Sequence, residues 1–263
     1  MSHVYEGEKF ERATSRDSLA KRLKINKAYA SADFDGWLMS RLAVQQGEDV
    51  LDVGCGTGAQ TSLFAKLVQP GGSVSAIDIS AESIAALKDR LDDTDPVQAV
   101  AADMADLRSH IDGTFAVKQF DLAQSTYALY YAKEREVVLD VMKAALKPRG
   151  RLAVFTPQGP HGLVELAARF STVPEPVYDS LRFGAEVLAP WFRAAFETVE
   201  EHHFHNRLSI PTADEVITFY RATTYYEASA EADIRTYVEA EIAGKGVFEY
   251  EKNGYLAIGR DRK

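Results

Sequence analysis

Three glycines and three carboxylates carry the clearest chemistry in this sequence. Gly54, Gly56 and Gly58 follow the apolar run 49–53 within VLDVGCGTG. Glycines after a strand and before a helix permit left-handed turns and a close approach of backbone to ligand. The helix start behind them offers N–H groups without intrahelical partners. Dinucleotide enzymes commonly space such glycines G-x-G-x-x-G, whereas the spacing here is G-x-G-x-G, and the G-x-x-x-x-G-K-[ST] pattern of a phosphate loop is absent. Asp52 precedes the glycines. A carboxylate there repels a pyrophosphate and suits a cation or an amine.

Asp78 ends the next apolar run, where an acid can hold both hydroxyls of a ribose. Asp103 ends the third run, in AADM. It can accept a hydrogen bond from an exocyclic adenine amine while Ile79 and Met104 sandwich the ring. The ligand implied is adenosine with a cationic amino-acid tail. Each acid alone has a plainer reading: Asp78 as an acid at a helix start, Asp103 as a helix cap. Their placement at three successive strand ends favours the nucleoside.

These side chains need elements that bring strand ends together, and the sequence supplies an alternation. DVLDV (49–53), SVSAIDI (73–79), VQAVAA (97–102), FDLAQS (120–125) and RLAVF (151–155) read as strands. Between them lie a helical pattern over 58–68 with Leu63, Phe64, Leu67 and Val68, and a second after Ser80 with Ile84, Leu87 and Leu91. A third carries Val137, Val138, Val141, Met142 and Ala145 and stops at Lys147-Pro148-Arg149-Gly150. Such alternation predicts βαβ units with right-handed crossovers and a parallel sheet. Ligands in such sheets sit beyond the carboxyl ends of the strands. Upstream, 14–30 reads as a basic helix with Lys21, Arg22, Lys24 and Lys27 on a solvated face. Ser31 and Asp33 can cap a helix bearing Phe34, Trp37, Leu38 and Leu42. Downstream, 160–195 looks helical with breaks at Pro174 and Pro176, and 198–208 reads as a strand. Residues 212–243 hold two helical patterns, and 247–259 reads as one strand interrupted near Asn253 rather than as a hairpin.

VLDVGCGTG, AIDIS, AADMADL, FDLAQSTYALYYA and LKPRGRLAVFTP, in this order, resemble the successive motifs of the class I S-adenosylmethionine-dependent methyltransferases. The resemblance covers roughly residues 48–157, with 198–208 and 247–259 as a strand pair. It implies a Rossmann-like three-layer α/β/α sandwich with a seven-stranded, mostly parallel sheet whose last strand is antiparallel, and helical lid insertions. It also implies one domain over 1–263, with a helical lid (1–45), a cofactor-binding core (46–157) and an acceptor-side half (158–263). Gly54 and Gly56 would lie against the methionine part, with Gly58 completing the loop and Asp52 nearby. Asp78 would hold the ribose, and Asp103 with the Met104 backbone would read adenine. A backbone carbonyl of Gln124 or Ser125 would hold the ammonium, and Cys55 would contribute backbone only. The reaction implied is methyl transfer to an oxygen or nitrogen of a small molecule. The product cofactor is S-adenosylhomocysteine.

The acceptor side is less legible. His161 follows the fifth strand and is a candidate base or substrate contact, against a surface or helix-start histidine. His203 and His205 share one strand face and His202 the other. No carboxylate set completes a metal site there, and none is expected. Tyr127, Tyr130 and Tyr131 follow the fourth strand, where this family's loop touches cofactor or acceptor. Tyr29 could close over the cofactor. Phe219, Tyr220, Tyr225 and Tyr226 are equally pocket or core, and Tyr220 is taken as pocket-lining. Gln124-Ser125-Thr126-Tyr127 departs from the N/D-P-P-Y/F signature of enzymes that methylate exocyclic amines on nucleic-acid bases or glutamine amides.

The formal net charge of −9, from 39 acids against 30 bases, argues against a polyanionic partner. One cysteine excludes an internal disulfide, and no apolar run long enough for a signal peptide or a membrane span occurs. A cytoplasmic protein with a small-molecule acceptor, no nucleic acid and no membrane partner is expected, and a homodimer is allowed. Competing readings are an RNA or protein methyltransferase, a non-catalytic cofactor-binding module and, more distantly, a nicotinamide dehydrogenase.

Overall fold

A computed structural model describes residues 7–263; the first six residues of the predicted lid lie outside the described residues. The helical N-terminal segment consists of α1 (Glu8–Thr14), α2 (Arg16–Tyr29) and α3 (Phe34–Leu42). Asp33 caps α3 by accepting the Gly36 N–H at 3.1 Å. The alternating core follows: β1 (Asp49–Val53), α4 (Ala59–Leu67), β2 (Ser73–Asp78), α5 (Ala81–Lys88), β3 (Val97–Ala101), α6 (Leu107–Gly113), β4 (Phe120–Thr126), α7 (Arg135–Ala144) and β5 (Leu146–His161). Ser80 caps α5 through the Ser83 N–H. The remainder comprises α8 (Gly162–Ala168), α9 (Glu175–Phe183), α10 (Ala189–Ala195), β6 (Phe196–Phe204), β7 (Arg207–Ile210), α11 (Ala213–Arg221), α12 (Glu231–Lys245) and β8 (Phe248–Arg262).

The sheet order is β3-β2-β1-β4-β5-β8-β6, with β7 also paired to β8. β1 through β5 run parallel to one another, and β8 runs antiparallel to β5, β6 and β7. The sheet therefore has eight strands where seven were expected. The extra one arises because the predicted strand 198–208 breaks at His205-Asn206. β6 then pairs with Gly254–Arg262 and β7 with Phe248–Glu251. Asn253 sits at the exchange of partners: it is buried and its Oδ1 accepts the Asn206 N–H at 3.2 Å. The interruption read near Asn253 is this change of neighbour within a single strand.

Apolar side chains fill both faces of the sheet. One cluster under α6, α7, α9 and α10 includes Leu51, Ile77, Phe120, Met142 and Phe192. Another beneath α3 and α4 includes Leu38, Leu42, Phe64, Leu122 and Phe155. Two residues read as inward differ: Leu67 is 42% and Val137 54% exposed, each at the edge of its helix stripe. A separate cluster joins α2, α8, α11, α12 and the β7–β8 pair, with Ile25, Leu163, Leu208, Val216, Tyr220 and Val238 at its centre. The loop before β1 is bolted to β5 by Arg151. Its guanidinium makes a fork to the two Glu48 oxygens, both at 2.8 Å, while Nε donates to the Leu42 carbonyl at 2.8 Å. No helix among the described residues is long and apolar enough to cross a membrane.

Candidate active site

The carboxyl ends of β1, β2 and β4 open onto a cavity of about 1000 Å3, roofed by α2 and the start of α3 and closed at its far end by α8, α9, α11 and β8. The glycine loop forms one wall. Gly54, Gly56 and Gly58 have φ of +76°, +53° and +80°, in the region that side chains rarely adopt. Space sets different demands on them. A Cβ on Gly54 would fall 2.2 Å from the Ala128 Cβ, so the loop following β4 presses directly on it. A Cβ on Gly56 would meet only the Leu19 side chain at 3.4 Å and would stand in the cavity. Gly58 begins α4 and abuts Leu87; it does not line the cavity.

Asp78 lies at the tip of β2 and lines the cavity. Its two oxygens accept the Gly56 N–H at 2.8 Å and the Ser80 N–H at 2.9 Å, which tie the glycine loop to β2. Burial raises its carboxyl above the ordinary range. A carboxylate has about four acceptor positions, so each oxygen retains one. Ile79, a large apolar side chain 47% exposed, and Met104 line the cavity beside it. Cys55 contributes to the same wall; its thiol is buried and burial pushes its pKa well up.

Other predicted cofactor residues lie elsewhere. The Asp52 side chain turns under the loop: it accepts the Thr61 hydroxyl at 2.6 Å and the Gln124 amide, and it is 1% exposed. Burial raises it to about 6. It fastens β1 to α4 and β4 and offers no oxygen to the cavity. Gln124 is consumed by that bond and by the Thr126 hydroxyl at 2.7 Å, and Ser125 is fully buried. Neither residue lines the cavity. Asp103 caps the turn 104–106 by accepting the Ala105 N–H at 2.9 Å, the plainer of its two readings, and is not part of the lining. Tyr29 does not close over the cavity; its hydroxyl bonds Glu215 and its ring packs on the cluster around α11.

Of the acceptor-side residues, His161, Tyr127, Tyr130 and Tyr131 line the cavity, as do Phe219 and Tyr225. Tyr127 has φ +56° and packs edge-on against Phe155 at 4.8 Å between ring centroids. Tyr220 does not line it: the side chain is fully buried and its hydroxyl accepts the Glu227 N–H at 2.9 Å. His161 is buried, its Nδ1 has no hydrogen-bond partner among the described residues, and burial lowers its pKa to about 3. An imidazole so shifted is neutral at pH 7 and a poor proton acceptor, because general bases work best with a pKa near the operating pH. His203 and His205 do share a face, 6.5 Å apart, and His203 Nδ1 contacts Gln158 at 2.8 Å. The described residues hold no group of three or more His, Cys, Asp or Glu suited to a metal ion.

Sequence reasoning missed Lys252, which lines the cavity as the register partner of His161. A signal was available. Phe248, Tyr250 and Lys252 alternate with Glu249 and Glu251, so the period of two puts the lysine on the inward, apolar face.

A glycine loop between β1 and α4, an acid at the tip of β2 and a parallel sheet ended by an antiparallel strand define a class I methyltransferase fold. A family model described as a methyltransferase domain matches residues 45–203, more than half of the chain, and the chain belongs to that family, the S-adenosylmethionine-dependent methyltransferases. It is similar to the ubiquinone/menaquinone biosynthesis C-methyltransferase UbiE of Methylococcus capsulatus, 36% identical over 111 residues. That match spans 42% of this chain and only 44% of the relative's length. Among solved structures, a protein of Bacillus halodurans C-125 superposes with a TM-score of 0.61 at 16% identity, over 88% of this chain and 100% of the other. Haemonchus contortus phosphoethanolamine N-methyltransferase 2, in complex with phosphomonomethylethanolamine and S-adenosylhomocysteine, gives 0.57 at 14% identity, over 96% and 59%. At these identities the structures speak for the fold.

Proposed function

We propose that this chain moves a methyl group from S-adenosylmethionine to an oxygen or nitrogen of a small molecule held at the far end of the cavity. The observation that carries this reading is the continuity of that cavity. Gly56, Asp78, Ile79 and Met104 line the same cavity as His161, Phe219, Tyr225 and Lys252. Its volume, about 1000 Å3, is at the upper end of small-ligand sites.

The residues present fit the cofactor. The half-exposed Ile79 and the partly buried Met104 offer apolar faces for a flat ring. Asp78 keeps acceptor capacity for ribose hydroxyls, and the bare Gly56 leaves the room a side chain would fill. Asp52 and Gln124 act indirectly, by fixing the strand tips under the loop. When bound, S-adenosylmethionine supplies an electrophilic methyl group on a sulfonium. The chain supplies binding, alignment and exclusion of water. Alignment of two reactants in a near-attack geometry is worth about 7–11 kcal/mol in favourable cases. Tyr127, wedged between the two halves with its phenol pushed up by burial, stays protonated and positions rather than ionises. The UbiE name supports a second reading, in which the accepting atom is a carbon.

Calorimetry with S-adenosylhomocysteine and NAD tests the cofactor half. The expected result is binding of S-adenosylhomocysteine, no competition by NAD, and at least tenfold weaker binding in Asp78→Asn. Binding that ignores Asp78→Asn, or a preference for NAD, would refute the reading.

A further inference from the structure

The acceptor half of the cavity is charged with one sign. Among the described residues, the lining from β5, α8, α9, α11 and β8 includes one strong ion, Lys252. From α2 it includes Arg22, Lys24 and Lys27, and no carboxylate. The carboxylates along the cavity, Asp33, Asp35 and Asp78, belong to the start of α3 and the tip of β2.

The polar groups facing this half are also short of partners. Lys252 Nζ makes no hydrogen bond or ion pair with a described residue. It lies over the rings of Tyr127 and Phe219, 5.2 and 5.6 Å from their centroids. Arg22 spends one nitrogen on the Ala13 carbonyl at 2.9 Å, and its Nε is buried without a partner among the described residues. Asn26 Oδ1 and His161 Nδ1 are buried and have no partner among them either. Buried polar atoms are nearly always paired, so three such atoms on residues lining one cavity, beside the Lys252 ammonium, point to a polar ligand. Burial and the nearby Arg22 charge bring Lys252 down to about 7.

We propose that Lys252 and Arg22 hold the negative charge of the methyl acceptor, which is a carboxylate borne on a flat apolar body. This rests on the reading of the cavity as a methyltransferase site. The guanidinium fork suits a carboxylate, and Tyr127, Phe219 and Tyr225 suit a ring. Arg22 from α2 is the charge that acts on Lys252, His161 from β5 is its register partner, and Tyr127 after β4 lies under its Nζ; none of the three is a carboxylate. An anion placed beside Lys252 favours its ammonium form, so binding above pH 7 takes up a proton.

The test uses the full chain saturated with S-adenosylhomocysteine. Benzoate, phenylacetate and 3-phenylpropionate are titrated at pH 8 in two buffers of different ionisation enthalpy, each beside its amide and amine counterparts. At least one carboxylate is expected to bind tenfold or more tightly than its amide and amine, with proton uptake. Lys252→Met should weaken that carboxylate at least tenfold and abolish the uptake while S-adenosylhomocysteine still binds, and Lys252→Arg should restore the affinity. An amide or amine that binds as well as every acid, the absence of any anion preference, or anion binding indifferent to Lys252→Met would overturn the proposal. Failure of the wild type to bind S-adenosylhomocysteine would strike the methyltransferase reading instead, and the same panel on the cofactor-free chain would still decide the anion site.

Discussion

Asp52→Asn isolates a cost that the fold carries beneath its glycine loop. Asp52 is buried, and that burial outweighs the hydrogen bonds from Thr61 and Gln124, so its folded-state value is about 6 against the ordinary 3.8. A carboxyl raised in the folded state binds its proton more tightly there. Its contribution to stability is therefore fully present below the unfolded value and lost as the pH rises through the folded one. The difference of roughly two pKa units corresponds to about 3 kcal/mol, lost between about pH 4 and pH 6. Asparagine preserves the contacts: its oxygen can accept from Gln124 and its amide can donate to the Thr61 hydroxyl. Urea unfolding of both proteins from pH 4 to pH 8 is the assay. Wild type minus variant should fall by about 2.5 kcal/mol across that range, or roughly 5–10 °C in melting temperature. Asp78 also titrates and its charge helps to raise Asp52, so the difference reports Asp52 together with its coupling to Asp78. A gap that stays constant within about 1 kcal/mol over the whole range would refute the reasoning, since one pKa unit is worth about 1.4 kcal/mol.

Gly58→Ala should destabilise the chain by at least about 2 kcal/mol, through the left-handed backbone and the crowding of Leu87. Gly113→Ala, where nothing lies within 4 Å, should be neutral or better in the same denaturation series. His161→Ala is expected to lower turnover at least tenfold with S-adenosylhomocysteine affinity intact, because the lost group sits at the acceptor end. The wild-type rate profile between pH 6 and 8 should show no step that this substitution removes, because His161 titrates near 3.

The alternating frame was legible because each element carries its own period and punctuation. Apolar runs end at Gly54, Asp78 and Asp103, and Ser80 and Asp33 cap where their side chains suggest. Which way a tip residue points was not legible. DVLDV lies in a sheet covered on both faces, so its pattern shows no inside and outside, and Asp52 could be placed beside the ligand or beneath the loop with equal reason. Asp103 had two compatible readings, and the local cap is the one formed. Tyr29 and Tyr220 sit at helical spacing, where core and pocket look alike. The split of 198–208 into two strands depends on Asn253, which lies far away in sequence. Lys252 was legible in principle but hidden among glutamates that face outward.

The position of β8 has a consequence for how the chain assembles. β6 and β7 precede it in sequence, yet both reach the sheet only through it. Until β8 inserts, the outer edge of β5 is an open template with unpaired backbone groups, and the acceptor end of the cavity lacks the strand that carries Lys252. Such an edge invites pairing with another chain, and non-local closure of this kind is slow. Lesions in residues 254–258 should therefore reveal themselves first as clumping during synthesis or refolding, even where the glycine loop and its neighbouring strands are already in place.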